Sequence, residues 1–368
     1  MKKFLSIILA IVLILSCTIL FTGCDALTQK NDADPPATED VLQQNDKNVI
    51  LFIGDGMGSN HVANAITYFE LDAPAFTSDR KVSSKTDSLS GTTDSAAGAT
   101  ALATGQKTNN NVVGKNAEGQ DLTNISELAK QAGKKVGIVT TDNLFGATPS
   151  GFSAHANKRS ESQVIMKSQA KSDIDLFIGL TDDTDAYVYE SSFTNNGYVI
   201  ASFYEDLLAK KDSEKLLATL PKMKSEYGAG ANGHVQLDDL VSFAIDFLEN
   251  ENGFFLMVEG AYIDKYSHSN DIVNALAETR SLFDAIAVGY AYVEENSSTT
   301  VIVTADHETG GLKLATTKSE VQNSLYVSEN HTSTSVPVYV KNFEYFTDKP
   351  AIPNTEVFAI CKSALGIN

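Results

Sequence analysis

Glu259, Asp264, Lys265 and His268 fall within ten residues of one another, directly after an apolar run. Asp264 and His268 are spaced i, i+4, so on one helical turn both side chains project from a common face and can grip a single cation. The same spacing also describes a solvated helix face that does no chemistry. Glu259, five residues before Asp264, cannot share that face and needs a different metal or none. Other segments have the same form, an apolar stretch that ends in acids, hydroxyls or histidine. Asp55 lies in Gly54-Asp-Gly-Met-Gly58, Asp306 and His307 follow Thr299–Thr304, and His331 follows Asn330. With Thr148 these residues make a mixed nitrogen and oxygen donor set without thiolate. Such a set suits zinc at the histidine-containing positions and magnesium at an all-oxygen one.

Ser95 and Arg159 carry the other candidate chemistry. From Ser95 onward, small residues and good helix formers predict a tightly packed helix capped by Thr93 or Asp94. Ser95 then sits in the first turn, where free N–H groups and the positive dipole end favour an anion. It reads either as part of the cap or as a nucleophile. No histidine follows closely, so an activating base must come from the fold or be replaced by a metal. Arg159 is a candidate phosphate fork, since guanidinium matches two phosphate oxygens at once. Thr148 is a candidate hard-cation ligand. Taken singly, these two are equally a surface charge and a turn hydroxyl. His61, His155 and His234 have no ligand-like partners in sequence and are read as structural.

Strands and helices must hold these groups. Asn48–Gly54, Lys135–Thr140, Phe254–Val258 and Thr299–Thr304 read as buried strands, and Val336–Lys341 as the last one. Helices are expected near 124–131, 203–210, 237–250 and 355–365. A long helix over 273–293, with Leu276, Phe283, Ile286 and Tyr290 near 3.6 spacing, makes a crossover into Thr299–Thr304. The pattern is that of an α/β protein with parallel strands, whose ligands bind at the strands' carboxyl ends. Residues 171–236 mix acids, Tyr, Gly and Asn and place only short elements.

The chain has 368 residues, 42% hydrophobic and 20% charged, enough to bury a large core. Residues 1–23 differ from the rest. Lys2 and Lys3 precede an apolar run to Phe21, then Thr-Gly-Cys24, which predicts an export signal with a lipobox and lipid on Cys24. Cys17 is a weaker lipobox match, and the alternative to cleavage is a retained membrane anchor. Residues 24–47 are polar with paired prolines and read as a flexible tether to a body at 48–368. The body is thus expected outside the cytosol, held to the outer side of the cytoplasmic membrane or in the periplasm. With Cys17 and Cys24 committed, Cys361 is the only thiol left, so stability cannot rest on disulfides. Losing the two positive charges of Lys2 and Lys3 takes the formal charge from −19 to −21. Such a field excludes nucleic acid as a partner, and small anionic substrates need concentrated local positive charge, which bound metal ions supply.

Six stretches, in order, resemble the alkaline phosphatase family: Ile53-Gly-Asp-Gly-Met-Gly58, Thr93-Asp-Ser-Ala-Ala97, Ala147-Thr-Pro149, Val258-Glu-Gly-Ala-x-Ile-Asp-Lys-x-x-His268, Thr304-Ala-Asp-His307 and His331-Thr332. The resemblance spans 48–368. It implies a three-layer α/β/α sandwich around a central, mostly parallel sheet, and hydrolysis of small phosphate monoesters through a phosphoserine intermediate. It implies two zinc ions and one magnesium per chain. Asp264, His268 and His331 would hold one zinc, Asp306 and His307 with Asp55 bridging the other, and Asp55, Thr148 and Glu259 the magnesium. Ser95 would be the nucleophile, Arg159 would bind phosphate, and Lys265, at a position that is Lys in many bacterial members, would join them in catalysis and substrate binding. Two metals about 4 Å apart stabilise the entering and leaving oxygens of an in-line displacement.

Three departures from the family pattern stand out. Gly146 replaces an Asp or His near the magnesium waters, and Asn330 replaces a common acid before His331. Only 23 residues, 308 to 330, separate His307 from His331. The insertion that builds part of the dimer surface in relatives is therefore absent, which leaves the assembly open between monomer and homodimer. A phosphodiesterase of the same superfamily is the nearest alternative, although such relatives commonly use Thr where Ser95 stands. A sulfatase would need a Cys/Ser-x-Pro-x-Arg motif, which Ser95-Ala-Ala-Gly98 is not. A lipid-tethered solute-binding protein would explain the leader and leave Ser95 and the metal-ligand types idle.

Overall fold

The computed structural model describes residues 48–180, 186–221, 223, 225–228, 235–344 and 349–367. The leader, Cys24, the 24–47 segment and His234 lie outside the described residues. A ten-stranded sheet runs through the chain. Its strands are β1 (Asn48–Gly54), β2 (Arg80–Lys85), β3 (Lys135–Asn143), β4 (Leu176–Leu180), β5 (Val199–Ala201), β6 (Leu216–Leu220), β7 (Phe254–Gly260) and β8 (Thr299–Thr304). A short pair, β9 (Glu308–Thr309) and β10 (His331–Thr332), stands apart, and β11 (Val336–Lys341) and β12 (Ala351–Pro353) complete the large sheet. The order is β12-β2-β11-β8-β1-β7-β3-β4-β6-β5. Every neighbouring pair is parallel except those made by β11, which runs antiparallel to β8 and β2.

The central strands read as unbroken apolar runs because both faces are covered. In β1, Ile50 and Phe52 point into one core while Val49, Leu51 and Ile53 point into the other. In β7, Leu256 and Val258 alternate in the same way with Phe255 and Met257. The first core is closed by α1 (Ser59–Phe69), α8 (Leu237–Leu248) and α10 (Ile272–Glu295), through Val62, Leu240, Ala244, Leu276 and Ile286. The second is closed by α2 (Ser95–Thr104), α3 (Ile125–Gln131), α5 (Ser162–Ala170) and α11 (Thr355–Ala364). Helix, sheet and helix form the expected three layers. Short helices α4 (Ala147–Gly151), α6 (Ala186–Thr194), α7 (Tyr204–Ala209) and α9 (Tyr262–His268) fill the connections.

Two expectations need amending. Val336–Lys341 is not the last strand, since β12 follows it and pairs with β2. The uninformative stretch 171–236 supplies β4, β6 and β5, one whole edge of the sheet. Among the described residues, no helix is long and apolar enough to cross a membrane.

The register does the positioning. Ile53 pairs with Glu259 on one side and with Thr304 on the other, and Glu259 pairs in turn with Thr140. The carboxyl ends of β8, β1 and β7 therefore finish level, β3 passes the same height at Thr140 before running on to Asn143, and their trailing loops meet above a single stretch of sheet edge.

Candidate active site

Asp55 leaves β1 in a turn whose backbone is pressed against its neighbours. Its own N–H donates to the Gly260 carbonyl at 3.2 Å, and Gly56 N–H donates to Asp306 Oδ1 at 3.2 Å. Gly56 has φ +72°, and a Cβ there would lie 2.8 Å from Thr309 Oγ1 and 2.9 Å from Asp264 Oδ1. Only glycine combines that φ with that approach. Beyond β8, Asp306 is fixed by the His307 N–H, which donates to Oδ1 at 2.9 Å.

His307 is fully buried, and burial pulls its pKa down to about 3, so its ring is neutral. Its Nε2 lies 3.2 Å from Asp306 Oδ2, 3.4 Å from Asp55 Oδ1 and 3.2 Å from Ser95 Oγ. Asp264 and His268 do lie on one face of α9, with His268 Nε2 3.3 Å from Asp264 Oδ2. His331, brought in by the β9–β10 pair, puts its Nε2 3.5 Å from Asp264 Oδ1 and 3.1 Å from His268 Nε2. The rings of His307 and His331 stack with centroids 3.5 Å apart, so the two clusters adjoin. Ligand atoms of Asp264, His307 and His331 lie within 4.8 Å of one another, as do those of Asp55, Asp306 and His307.

The outer nitrogens settle the tautomers. Nδ1 of His331 donates to the Thr93 carbonyl at 2.9 Å and Nδ1 of His268 to the Glu329 carbonyl, so each Nε2 faces inward, where it either donates a proton to Asp264 or, once that proton leaves, offers its lone pair to a cation. Two such nitrogens 3.1 Å apart beside one carboxylate suit a cation between them.

The acids point the same way. Burial, then repulsion from Asp306, holds Asp55 well above the usual carboxylate range. Burial, then Asp264, pushes Asp306 up to about 7, and burial, then Asp142, pushes Glu259 up to about 8. Burial would also raise Asp264, but hydrogen bonds from His268 and His331 outweigh it and hold this carboxyl well below its ordinary value. Asp55 Oδ1, Asp306 Oδ2 and Thr148 Oγ1 are buried without a hydrogen-bond partner. Thr148 stands close enough to Glu259 to favour its ionised form, yet makes no hydrogen bond of normal geometry to it. Buried, orphaned oxygens among repelling carboxylates are costly unless a cation neutralises them. The donor set therefore fits divalent metals: nitrogen-rich at Asp264, His268 and His331, mixed at Asp55, Asp306 and His307, and all-oxygen at Asp55, Thr148 and Glu259.

Ser95 is the first residue of α2 and is buried. Asp94 caps the helix, accepting from Ala97 N–H at 3.0 Å through Oδ1. Its Oδ2 accepts from Asn111 N–H at 3.0 Å and from Arg159 Nη1 at 3.4 Å. The cap thus holds a half-exposed guanidinium beside the serine. Lys265 is already paired: its ammonium donates to Asp142 and lies 4.5 Å from the Tyr262 ring centroid.

Three residues have supporting roles that sequence reasoning did not show. Thr309 bridges His307 Nδ1 and Asp264 Oδ1, at 3.3 and 2.5 Å. Thr140 donates to Glu259 and accepts from Asp142 N–H at 2.9 Å. His61, read as structural, is buried and ties two ligand-bearing elements together. Its Nδ1 accepts from Gly58 N–H at 3.2 Å and its Nε2 meets Ser267 Oγ of α9 at 3.0 Å. The only local signal for any of them is Thr309's position two residues after His307. His155 also has partners, Glu127 at 2.9 Å and the Gly114 carbonyl at 2.8 Å, away from the clusters.

The chain that folds into this row of strand ends, with two adjoining acid and imidazole clusters and a serine at a helix start, matches the family model of alkaline phosphatase over residues 46–181 and 190–359. The chain belongs to the alkaline phosphatase family. It is 30% identical over 296 residues to alkaline phosphatase 4 of Bacillus subtilis, covering 73% of this chain and 62% of that one. It is 32% identical over 308 residues to the alkaline phosphatase of Schizosaccharomyces pombe, covering 72% and 56%. The chain thus spans about three fifths of the length of these two curated relatives. Among solved structures, the alkaline phosphatase of the Antarctic bacterium TAB5 superposes with a TM-score of 0.74 at 28% identity, over 87% of this chain and 98% of that one. A cold-active Shewanella family member gives 0.75 at 25% identity, over 86% and 99%.

Proposed function

We propose that this chain hydrolyses phosphate monoesters to alcohol and inorganic phosphate, with Ser95 as nucleophile and divalent metals as cofactors. The observation that carries this reading is the placement of Ser95 Oγ, 3.2 Å from His307 Nε2 at the border of the two donor clusters and at a helix N-terminus. The zinc pair would be held by Asp264, His268 and His331, and by Asp55, Asp306 and His307. Magnesium would be held by Asp55, Thr148 and Glu259. When bound, the metals supply Lewis-acid charge that makes the serine hydroxyl acidic and stabilises the entering and leaving oxygens. A TAB5 mutant with Mg bound in its M3 site supports magnesium as the third ion.

The chain's own residues do the rest. Ser95 Oγ attacks phosphorus in line as the alcohol oxygen departs, giving a phosphoserine that water then cleaves. Arg159, steadied by Asp94, clamps two non-bridging oxygens, and the open first turn of α2 favours the same anion. Lys265 adds positive charge at the rim. His307 stays neutral through burial and offers Nε2 as a ligand, so no histidine base is required.

The leader pattern supports export with lipid on Cys24 and a 24–47 tether that holds the 48–368 domain outside the cytosol. The test compares p-nitrophenyl phosphate with bis-p-nitrophenyl phosphate, with and without a chelator. A phosphomonoesterase cleaves the first, and only with metal. Preference for the diester would favour the phosphodiesterase reading, and activity untouched by chelation would end both.

A further inference from the structure

Gly146 has no side chain to offer the all-oxygen cluster, yet the space beside it is filled. An added Cβ at Gly146 would stand 3.0 Å from Asp142 Oδ2 and 2.8 Å from the Asn143 carbonyl. Asp142, four residues earlier at the end of β3, therefore occupies the volume that any larger residue at 146 would claim. Two bonds hold it there. Its N–H donates to Thr140 Oγ1 at 2.9 Å, and Thr140 donates onward to Glu259 Oε2. Its Oδ1 accepts the Lys265 ammonium. Among the described residues nothing donates to Oδ2. In the same cluster, Thr148 Oγ1 and Asp55 Oδ1 are buried without a hydrogen-bond partner. The Thr140 hydroxyl that donates to the Glu259 carboxylate also anchors the Asp142 backbone, so the two acids stand on one hydroxyl's two sides, and with the orphaned oxygens of the cluster they offer the hard-oxygen donors that magnesium selects.

We infer that Asp142, and not residue 146, supplies the outer carboxylate of the all-oxygen cation site, sharing its two oxygens between Lys265 and a hard divalent ion. This rests on the phosphatase reading and adds to it a residue from a different element. Gly146 then becomes a requirement, because a side chain there would expel Asp142 Oδ2. Lys265 also gains a defined position: its ammonium balances one oxygen of Asp142 while the cation takes the other.

The test is magnesium titration into zinc-loaded protein by calorimetry, with elemental analysis of zinc, for the wild type, Asp142→Asn, Asp142→Ser and Lys265→Ala. Asp142→Asn and Asp142→Ser should weaken magnesium binding about 10- to 100-fold and leave two zinc ions per chain, the cost typical of removing a supporting partner. Lys265→Ala should leave magnesium binding unchanged or tighter, since it frees Asp142 from a competing cation. Unchanged magnesium affinity in both Asp142 variants overturns the inference. So does equal weakening in Lys265→Ala, which would make Asp142 only an anchor for the lysine. Loss of zinc in both Asp142 variants also overturns it, since the residue would then hold the whole site. If the wild type takes up neither metal, the phosphatase reading falls as well. If it loads both and only the Asp142 variants behave like the wild type, this inference alone fails.

Discussion

Replacing Thr309 by valine tests whether the two histidine-containing clusters are built as one unit. Nε2 of His307 faces Ser95, Asp306 and Asp55 at 3.2 to 3.4 Å, so the ring's single proton belongs on Nδ1 when Nε2 offers its lone pair. Thr309 Oγ1 accepts that proton at 3.3 Å and passes its own to Asp264 Oδ1 at 2.5 Å. All three residues are buried, so no water replaces the hydroxyl. Valine keeps the shape, orphans the Nδ1–H and removes one donor from a charged acceptor. A hydrogen bond to a charged group contributes about 1.5–3 kcal/mol. Because each 1.4 kcal/mol is a factor of ten, this corresponds to about 10- to 100-fold in metal affinity, the range seen for residues that orient ligands. Competition with a chromogenic chelator should show both zinc ions weakened together, with Asp142-linked magnesium binding much less affected. Zinc affinity within twofold of the wild type, or loss of one zinc with the other intact, would refute the bridging argument.

Ser95→Ala should lower kcat by about 10³-fold or more while metal content by elemental analysis stays at the wild-type level, which separates nucleophile from ligand. Activity should rise toward alkaline pH. A hydrogen bond to Asp264 raises His268 to about 9, so a proton competes with metal at that ring below this pH, and zinc affinity measured against pH should climb through the same range. His155 gives a stability prediction independent of the site. Its bond to Glu127 raises its pKa, so its contribution is fully present below its ordinary value near 6.5 and is lost as pH rises through the raised value. Glu127 is lowered against the opposing effect of burial by the same bond, so its contribution fades as pH falls below about 4.5. Chemical denaturation should show the penalty of His155→Gln greatest between roughly pH 4.5 and 6.5 and shrinking above it, and a penalty independent of pH would refute the assignment.

Much of the catalytic layout is written locally. Parallel strands covered on both faces must be continuous apolar runs, and a chain leaving such a strand places its first polar residues at the carboxyl end. Asp55 after β1, Glu259 at the end of β7 and Asp306-His307 after β8 are visible for that reason, and Ser95 is visible because Asp94 and a run of small residues announce a helix start. The strands away from the sheet's centre are not visible in this way. Leu176–Leu180 and Leu216–Leu220 are five residues each and Val199–Ala201 only three, too short to display a period, and β2, held between β12 and β11, is a polar segment, Arg-Lys-Val-Ser-Ser-Lys. Helix α1 buries Asn64 and His61 as well as Val62 and Ala65, which blurs its apolar face.

By itself the sequence determined which residue types sit at strand ends and helix starts, since these follow from burial and capping within a few residues of each position. Only the tertiary structure decided their partners. The order β8-β1-β7-β3 sets Glu259 beside Thr140 and so beside Asp142, across 119 and 117 positions of chain. The β9–β10 pair swings His331 onto His268 and stacks it on His307. Proton positions, lone-pair directions and the exchange of Asp142 for a side chain at Gly146 depend on distances between segments that no local pattern encodes. They arise because one register of parallel strands brings several carboxyl ends to the same height.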